Sequence, residues 1–278
     1  VIAILRARLR LGRQTIPWPD GPARLPERYR GRPALAPERC RAGCTDCAAA
    51  CPTDAVLGAG TPDLAIDLGA CLFCGLCQEA CPERAIAFGR DYRLAARSRQ
   101  ELLARGEAPV LARALDRKMR RLFGRSLRLR QVSAGGCNGC EAELAATGNV
   151  QFDLSRFGIQ FVASPRHADG IAVTGPVPEN MRLALQKTWE ATPAPKIVVA
   201  VGACAISGGP FAGSPVCLDG VDGAGADLGV PVDLYVPGCP PHPITVMDGL
   251  LRLLGRLEGD RLRLAGTGVL DAEPGPER

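Results

Sequence analysis

From residue 127 onward, short apolar runs alternate with segments of helical period. Strand-like runs fall at 127–132, 158–163, 170–174, 196–201 and 232–236. Helical runs lie between or after them, at about 139–146, 178–190 and 243–257. Strands alternating with helices predict a parallel sheet covered on both faces, over residues 127–257. Upstream the pattern differs. Residues 38–91 contain an internal repeat: Cys44, Cys47, Cys51, Pro52 and Ala55 recur thirty residues later as Cys74, Cys77, Cys81, Pro82 and Ala85. Each half reads as a short strand, a cysteine loop, a short helix and a short strand. Residues 92–126 show two helical stretches split near Gly106 and Pro109, and they form a basic linker. Residues 1–37 combine an arginine-rich stretch with a Pro-rich extended arm, and 258–278 form a Gly-, Pro- and charge-rich tail expected to be poorly ordered. In residues 1–16 apolar positions alternate irregularly with Arg6, Arg8, Arg10 and Arg13. Two readings fit that stretch: a basic amphipathic helix on a membrane or partner face, or a solvated helix.

Composition narrows the chemistry. The chain of 278 residues has thirteen cysteines and two histidines. An odd cysteine count, with no secretory signal expected because arginines interrupt the apolar start, argues against a disulfide framework. Scarce histidine argues against haem and most zinc sites. Closely spaced thiols then point to iron–sulfur clusters. No apolar run approaches the roughly 18 residues a membrane span needs. The formal net charge of +5 suggests a basic surface. It falls to about −1 once twelve thiolates hold three cluster cores of charge +2, so it supports no nucleic-acid partner.

The cysteine loops carry the strongest signal. Cys71-Leu-Phe-Cys74-Gly-Leu-Cys77-Gln-Glu-Ala-Cys81-Pro82 is C-x2-C-x2-C-x3-C-P, the bacterial ferredoxin run. The first half, Cys40-Arg-Ala-Gly-Cys44-Thr-Asp-Cys47-Ala-Ala-Ala-Cys51-Pro52, has three residues between its first two cysteines where two are usual. Gly43 is suited to absorb the extra residue in a bulge; an altered first site is the alternative. With the usual crossover, one site is Cys40, Cys44, Cys47 and Cys81, and the other is Cys51, Cys71, Cys74 and Cys77.

Three further loops follow three of the expected parallel strands. They bring Cys137 and Cys140, then Cys204, then Cys239, to the carboxyl ends of the strands, where such loops converge on one crevice. Those four thiolates make a third all-cysteine site for a [4Fe-4S] cluster, with zinc the alternative on spacing alone. The fold class is therefore α/β: an N-terminal two-cluster bacterial ferredoxin-like domain followed by a flavodoxin-like parallel α/β domain. Cys217 is left without a partner and reads as a buried apolar residue. His167 and His242 read as surface or hydrogen-bonding residues. Glu141 sits at a helix start, where its charge suits the helix dipole. No phosphate-binding loop, dinucleotide fingerprint or nucleophile–base pair is present, so no catalytic residue is assigned.

Residues 127–255 resemble the small subunit of membrane-bound, energy-converting [NiFe]-hydrogenases of the formate hydrogenlyase kind, a family related to the cluster N2 subunit of respiratory complex I. The resemblance rests on Gly136-Cys-Asn-Gly-Cys-Glu141, Arg156-Phe-Gly-Ile159, Ser164-Pro-Arg-His-Ala-Asp169, Thr174-Gly175, Gly202-Ala-Cys204, Ser207-Gly-Gly209 and Val230-Pro-Val-Asp-Leu-Tyr-Val-Pro-Gly-Cys-Pro-Pro241. Residues 1–91 resemble the two-cluster ferredoxin subunit of the same complexes; Ile16-Pro-Trp-Pro19 and Leu25-Pro-Glu-Arg-Tyr-Arg-Gly-Arg-Pro33 match its arm. The resemblance implies a fusion of two subunits that are otherwise separate. It implies three [4Fe-4S] clusters, with Cys137, Cys140, Cys204 and Cys239 holding the one proximal to a separate large subunit's active site. The partners implied are a [NiFe]-hydrogenase-type large subunit, membrane-arm subunits and a formate- or carbon monoxide-oxidising electron donor. The place implied is peripheral, on the cytoplasmic side of the inner membrane. The chain itself would be a non-catalytic electron-transfer subunit of an oxidoreductase. Two other readings are a complex I-like quinone oxidoreductase subunit and a stand-alone ferredoxin-like carrier or redox sensor.

Overall fold

The computed structural model describes residues 2–106, 110–223, 228–258 and 261–262. Alanine, leucine and arginine are strong helix formers, and they wind helix α1 over Ile2–Leu11. Gly12, at φ +63°, ends it. Every side chain of α1 is exposed. The arm behind it is extended, and Ile16 and Trp18 are buried in the core of the C-terminal domain.

The repeat folds as two matching halves. Strand β1 (Pro33–Leu35), helix α2 (Asp46–Ala49) and strand β2 (Val56–Leu57) are followed by β3 (Ala65–Asp67), α3 (Leu76–Ala80) and β4 (Ile86–Phe88). β1 pairs antiparallel with β4, and β2 with β3. The ferredoxin unit thus begins at Pro33, inside the segment read from sequence as arm.

The linker differs from its helical expectation. Between 92 and 105 there is no α-helix. Ala96 exchanges two backbone hydrogen bonds with Tyr235 (3.0 and 2.9 Å), capping a sheet edge of the next domain. Strand β5 (Leu103–Ala104) then extends the β2–β3 ladder. The helical period of this stretch is real, but Leu94, Ala95, Ala96, Leu102 and Ala104 are buried against two different sheets, a split that one helix face cannot supply. Covering an otherwise open edge outweighs local propensity. Helix α4 (Arg117–Phe123) does form, capped by Asp116, whose side chain accepts from Met119 N at 2.9 Å.

The C-terminal domain contains β6 (Leu127–Ser133), α5 (Gly139–Thr147), β7 (Ile159–Phe161), β8 (Gly170–Thr174), α6 (Glu179–Ala191), β9 (Ile197–Val201), the short α7 (Ala203–Ser207), β10 (Leu234–Val236) and α8 (Pro243–Leu253). All five strands are parallel, in the order β10-β9-β8-β6-β7. Numbered within the domain this is 2-1-3-4-5, the flavodoxin-like order. β8 and β9 are buried along their whole length, as continuous apolar strands covered on both faces must be. α8 stops at Leu253, short of the expected 257, and Leu257–Glu258 pairs as β11 with β12 (Arg261–Leu262). The rest of the expected tail, from 263, lies outside the described residues.

The two domains share one core: Leu64, Ile66 and Leu68 of the ferredoxin unit cluster with Val198 and Ile206 of the α/β unit. The seam is also polar. Arg99 pairs with Asp67 at 2.7 Å, and Ser207 Oγ donates to Gly69 O at 3.1 Å.

Candidate metal centres

Cys40, Cys44, Cys47 and Cys81 line one cavity, together with Arg41, Gly60 and Glu83. Cys51, Cys71, Cys74 and Cys77 line a second. Each half of the repeat therefore sends its fourth cysteine across to the other half. The two crossing thiols sit alike: Cys51 Sγ accepts from Ala55 N and Cys81 Sγ from Ala85 N, both at 3.2 Å. In the longer first loop Gly43 adopts φ +74° and donates to Gly60 O at 3.1 Å, so the extra residue is taken up in a turn at the glycine.

The third quartet sits where the sheet topology sends it. Cys137, Cys140, Cys204 and Cys239 line a cavity of about 100 Å³ at the carboxyl ends of β6, β9 and β10, with Gly175 after β8. Cys140 stands in the first turn of α5 and Cys204 in the first turn of α7. Free N–H groups there favour negative charge on the sulfurs. Gly202 follows β9 at φ +88°; a Cβ on it would stand 2.5 Å from Cys140 Sγ, so only glycine lets backbone pass this thiol.

The electrostatics fit a cationic core. Burial pushes the thiols of Cys71 and Cys140 up to about 12 and those of Cys77 and Cys204 up to about 11, and neighbouring thiols of the same quartet add to the shift. Burial also raises Cys47 and Cys239. Such thiols alone would stay protonated at neutral pH; a bound metal would supply the positive charge that stabilises four adjacent thiolates. Weaker contributions cross the quartets: Cys47 of the first raises Cys77 of the second, and Cys74 of the second raises Cys239 of the third.

Glu141 has a role in the site that its position at a helix start did not reveal. The carboxylate is buried and lines the third cavity. Its Oε1 accepts from Ser133 Oγ at 2.6 Å and Thr174 Oγ1 at 2.7 Å. Burial alone would raise its pKa; the two hydroxyls overcome that and hold it below the usual carboxylate range. Ser133 and Thr174 were missed as site residues because no spacing rule links the ends of β6 and β8. Cys217 lines none of the three cavities, and His167 touches none of them. His242 caps α8, its Nδ1 accepting from Ile244 N at 3.2 Å.

Both units match known proteins. Residues 137–253 match the model of the NADH ubiquinone oxidoreductase 20 kDa subunit family, and residues 64–87 match a 4Fe-4S binding domain. The probable membrane-bound hydrogenase subunit mbhJ of Pyrococcus furiosus is 42% identical over 137 residues, which is 49% of this chain and 79% of that protein. The chain belongs to the 20 kDa subunit family of NADH ubiquinone oxidoreductase. This 20 kDa-family chain is also 45% identical over 150 residues to formate hydrogenlyase subunit 7 of Escherichia coli, covering 54% of itself and only 56% of that relative's length. An NADH-quinone oxidoreductase subunit of Heliobacterium modesticaldum is 44% identical over 43% of the chain and 66% of that protein. The 4Fe-4S binding match lies on the same chain, ahead of the 20 kDa match. The matched 64–87 segment contains the regular second loop; the first loop, with its longer spacing, lies outside it. No helix among the described residues is long and apolar enough to cross a membrane.

Proposed function

We propose that this chain is the electron-transfer subunit of a membrane-associated complex of the energy-converting [NiFe]-hydrogenase type, holding three [4Fe-4S] clusters in series. The three cysteine quartets carry this reading: each lines its own cavity, and the second quartet's loop shares a further cavity with Cys239 of the third. Cys40, Cys44, Cys47 and Cys81 would hold the first cluster, Cys51, Cys71, Cys74 and Cys77 the second, and Cys137, Cys140, Cys204 and Cys239 the third. A [4Fe-4S] cluster supplies a one-electron site whose potential its surroundings set. The chain's own residues bury Cys47, Cys71 and Cys77 and donate backbone N–H groups to the sulfurs of Cys51, Cys71 and Cys81. The third cavity opens among loops at the sheet's carboxyl edge, the face a large subunit would cover. Arg166 and His167 are exposed on a turn that leads into the amino end of β8 beside Arg128, away from the carboxyl ends that carry the third cavity.

The Cys137-Asn-Gly-Cys140 spacing favours a hydrogenase-type partner; the complex I type has adjacent cysteines there. A quinone-reducing complex I relative is the second reading, favoured by the NADH-quinone oxidoreductase likeness. A formate- or carbon monoxide-oxidising donor, membrane-arm partners and a peripheral place on the cytoplasmic side of the inner membrane belong to the first reading. Affinity purification of the chain from its own cells tests it. The expected co-purifying protein is a large subunit with two paired-cysteine nickel motifs. A large subunit without those motifs favours the quinone reading, and a chain that purifies alone contradicts both.

A further inference from the structure

The arm carries a motif, Arg28-Tyr29-Arg30, that the three quartets leave unused. Tyr29 is pinned to the α/β domain: its ring packs edge-on against His242 at 5.6 Å, and its hydroxyl lies 3.3 Å from Thr245 Oγ1. His242 and Thr245 follow directly on the Cys239 loop. The next residue reaches the other domain. Arg30 lays its guanidinium against Gly75, between Cys74 and Cys77 of the second quartet. A Cβ on Gly75 would stand 2.7 Å from Arg30 Nε and 3.0 Å from Cζ. Gly75 is buried and at φ +86°, so its backbone conformation favours glycine, and the missing side chain leaves room for the guanidinium. Arg30 also lines a cavity of about 240 Å³ shared with Leu72 and Phe73 of the second quartet's loop and Cys239 of the third. Among the described residues Arg30 forms no hydrogen bond or ion pair. The first quartet differs: its arginine, Arg41, is 3.8 Å from Cys44 Sγ but shares its charge with Asp46 at 3.9 Å.

We infer that Arg30 sets the reduction potential of the second quartet's cluster, making the arm part of the electron path as well as a strap between domains. The inference rests on the second quartet holding a cluster. One-electron reduction adds one negative charge there; no bond forms or breaks and no proton moves. A guanidinium against the ligand loop stabilises the reduced form over the oxidised one and so raises the potential. The arginine is exposed, so the effect weakens with salt.

The test uses the full-length chain, anaerobically prepared, in a redox titration followed by electron paramagnetic resonance. The signal lost in Cys74→Ser identifies the second quartet's cluster. Arg30→Gln should shift that potential to lower values and leave the first quartet's in place, while Arg30→Lys retains most of the wild-type value. Should Arg30→Gln lose the cluster's iron, Arg30→Lys decides: retained iron and potential support the charge, and loss in both overturns it. Equal shifts in both variants, no shift in Arg30→Gln, or parallel shifts in both ferredoxin clusters also overturn it. A wild-type chain lacking any signal that Cys74→Ser removes would instead refute the cluster assignment underneath.

Discussion

Cys217 shows how far a cysteine's spacing decides its role. It has no neighbour at ligand spacing, and it sits in a loop bridged to Pro178, away from the three quartets. Cys217→Ser should leave iron content and cluster spectra unchanged. Cys239→Ser should remove the third quartet's signal while the two ferredoxin signals persist. Equal cluster loss in both variants, read by iron analysis and electron paramagnetic resonance, would show that the third ligand set is wrong. At this scale the quartets were legible, because thiolate spacing around a cubane is tightly constrained. The supporting contacts were not. Ser133 and Thr174 meet on Glu141 only because β6 and β8 are sheet neighbours, and Arg30 meets Gly75 only because the arm crosses the seam.

The arm is the element that most changes in meaning once the fold is known. Proline content announces an extended segment, and it does lie along another surface. What it grips depends on the tertiary fold. Trp18 is 2% exposed; its Nε1 donates to Tyr92 Oη at 2.9 Å, and its ring meets Tyr92 and Phe157 edge-on. Arg156 holds the same segment from the domain side, donating to the carbonyls of Ile16 and Trp18 at 3.1 and 2.7 Å. Trp18→Ala should cost about 3–5 kcal/mol, the usual penalty for emptying a large aromatic site. Chemical denaturation of the anaerobic protein reads it; a loss below about 1 kcal/mol would mean the arm is not part of the core. The linker behaves in the opposite way. Its 92–105 stretch has helical composition and yet is extended, because β10 needs an edge partner and β3 a third strand. Edge demand is a property of the assembled sheet, invisible to a window of local sequence.

At the scale of the whole molecule, two units each built around cysteine loops share one hydrophobic core and a polar seam. The five parallel strands stood out because β8 and β9 are short continuous apolar runs. Their order is the one the flavodoxin-like expectation implies; the linear pattern alone does not say that β6 sits between β7 and β8. That order places β6, β8, β9 and β10 side by side, and so brings Cys137, Cys140, Cys204 and Cys239 to one edge. The second quartet's loop then stands beside the third quartet, Leu72 and Phe73 lining one cavity with Cys239. The claim on which most else depends is that all three quartets hold iron–sulfur clusters. Iron, acid-labile sulfide and zinc analysis of the anaerobically prepared full chain tests it most directly. The expected result is about twelve iron and twelve sulfide per chain with no stoichiometric zinc, and about eight iron with one tightly bound zinc would contradict it.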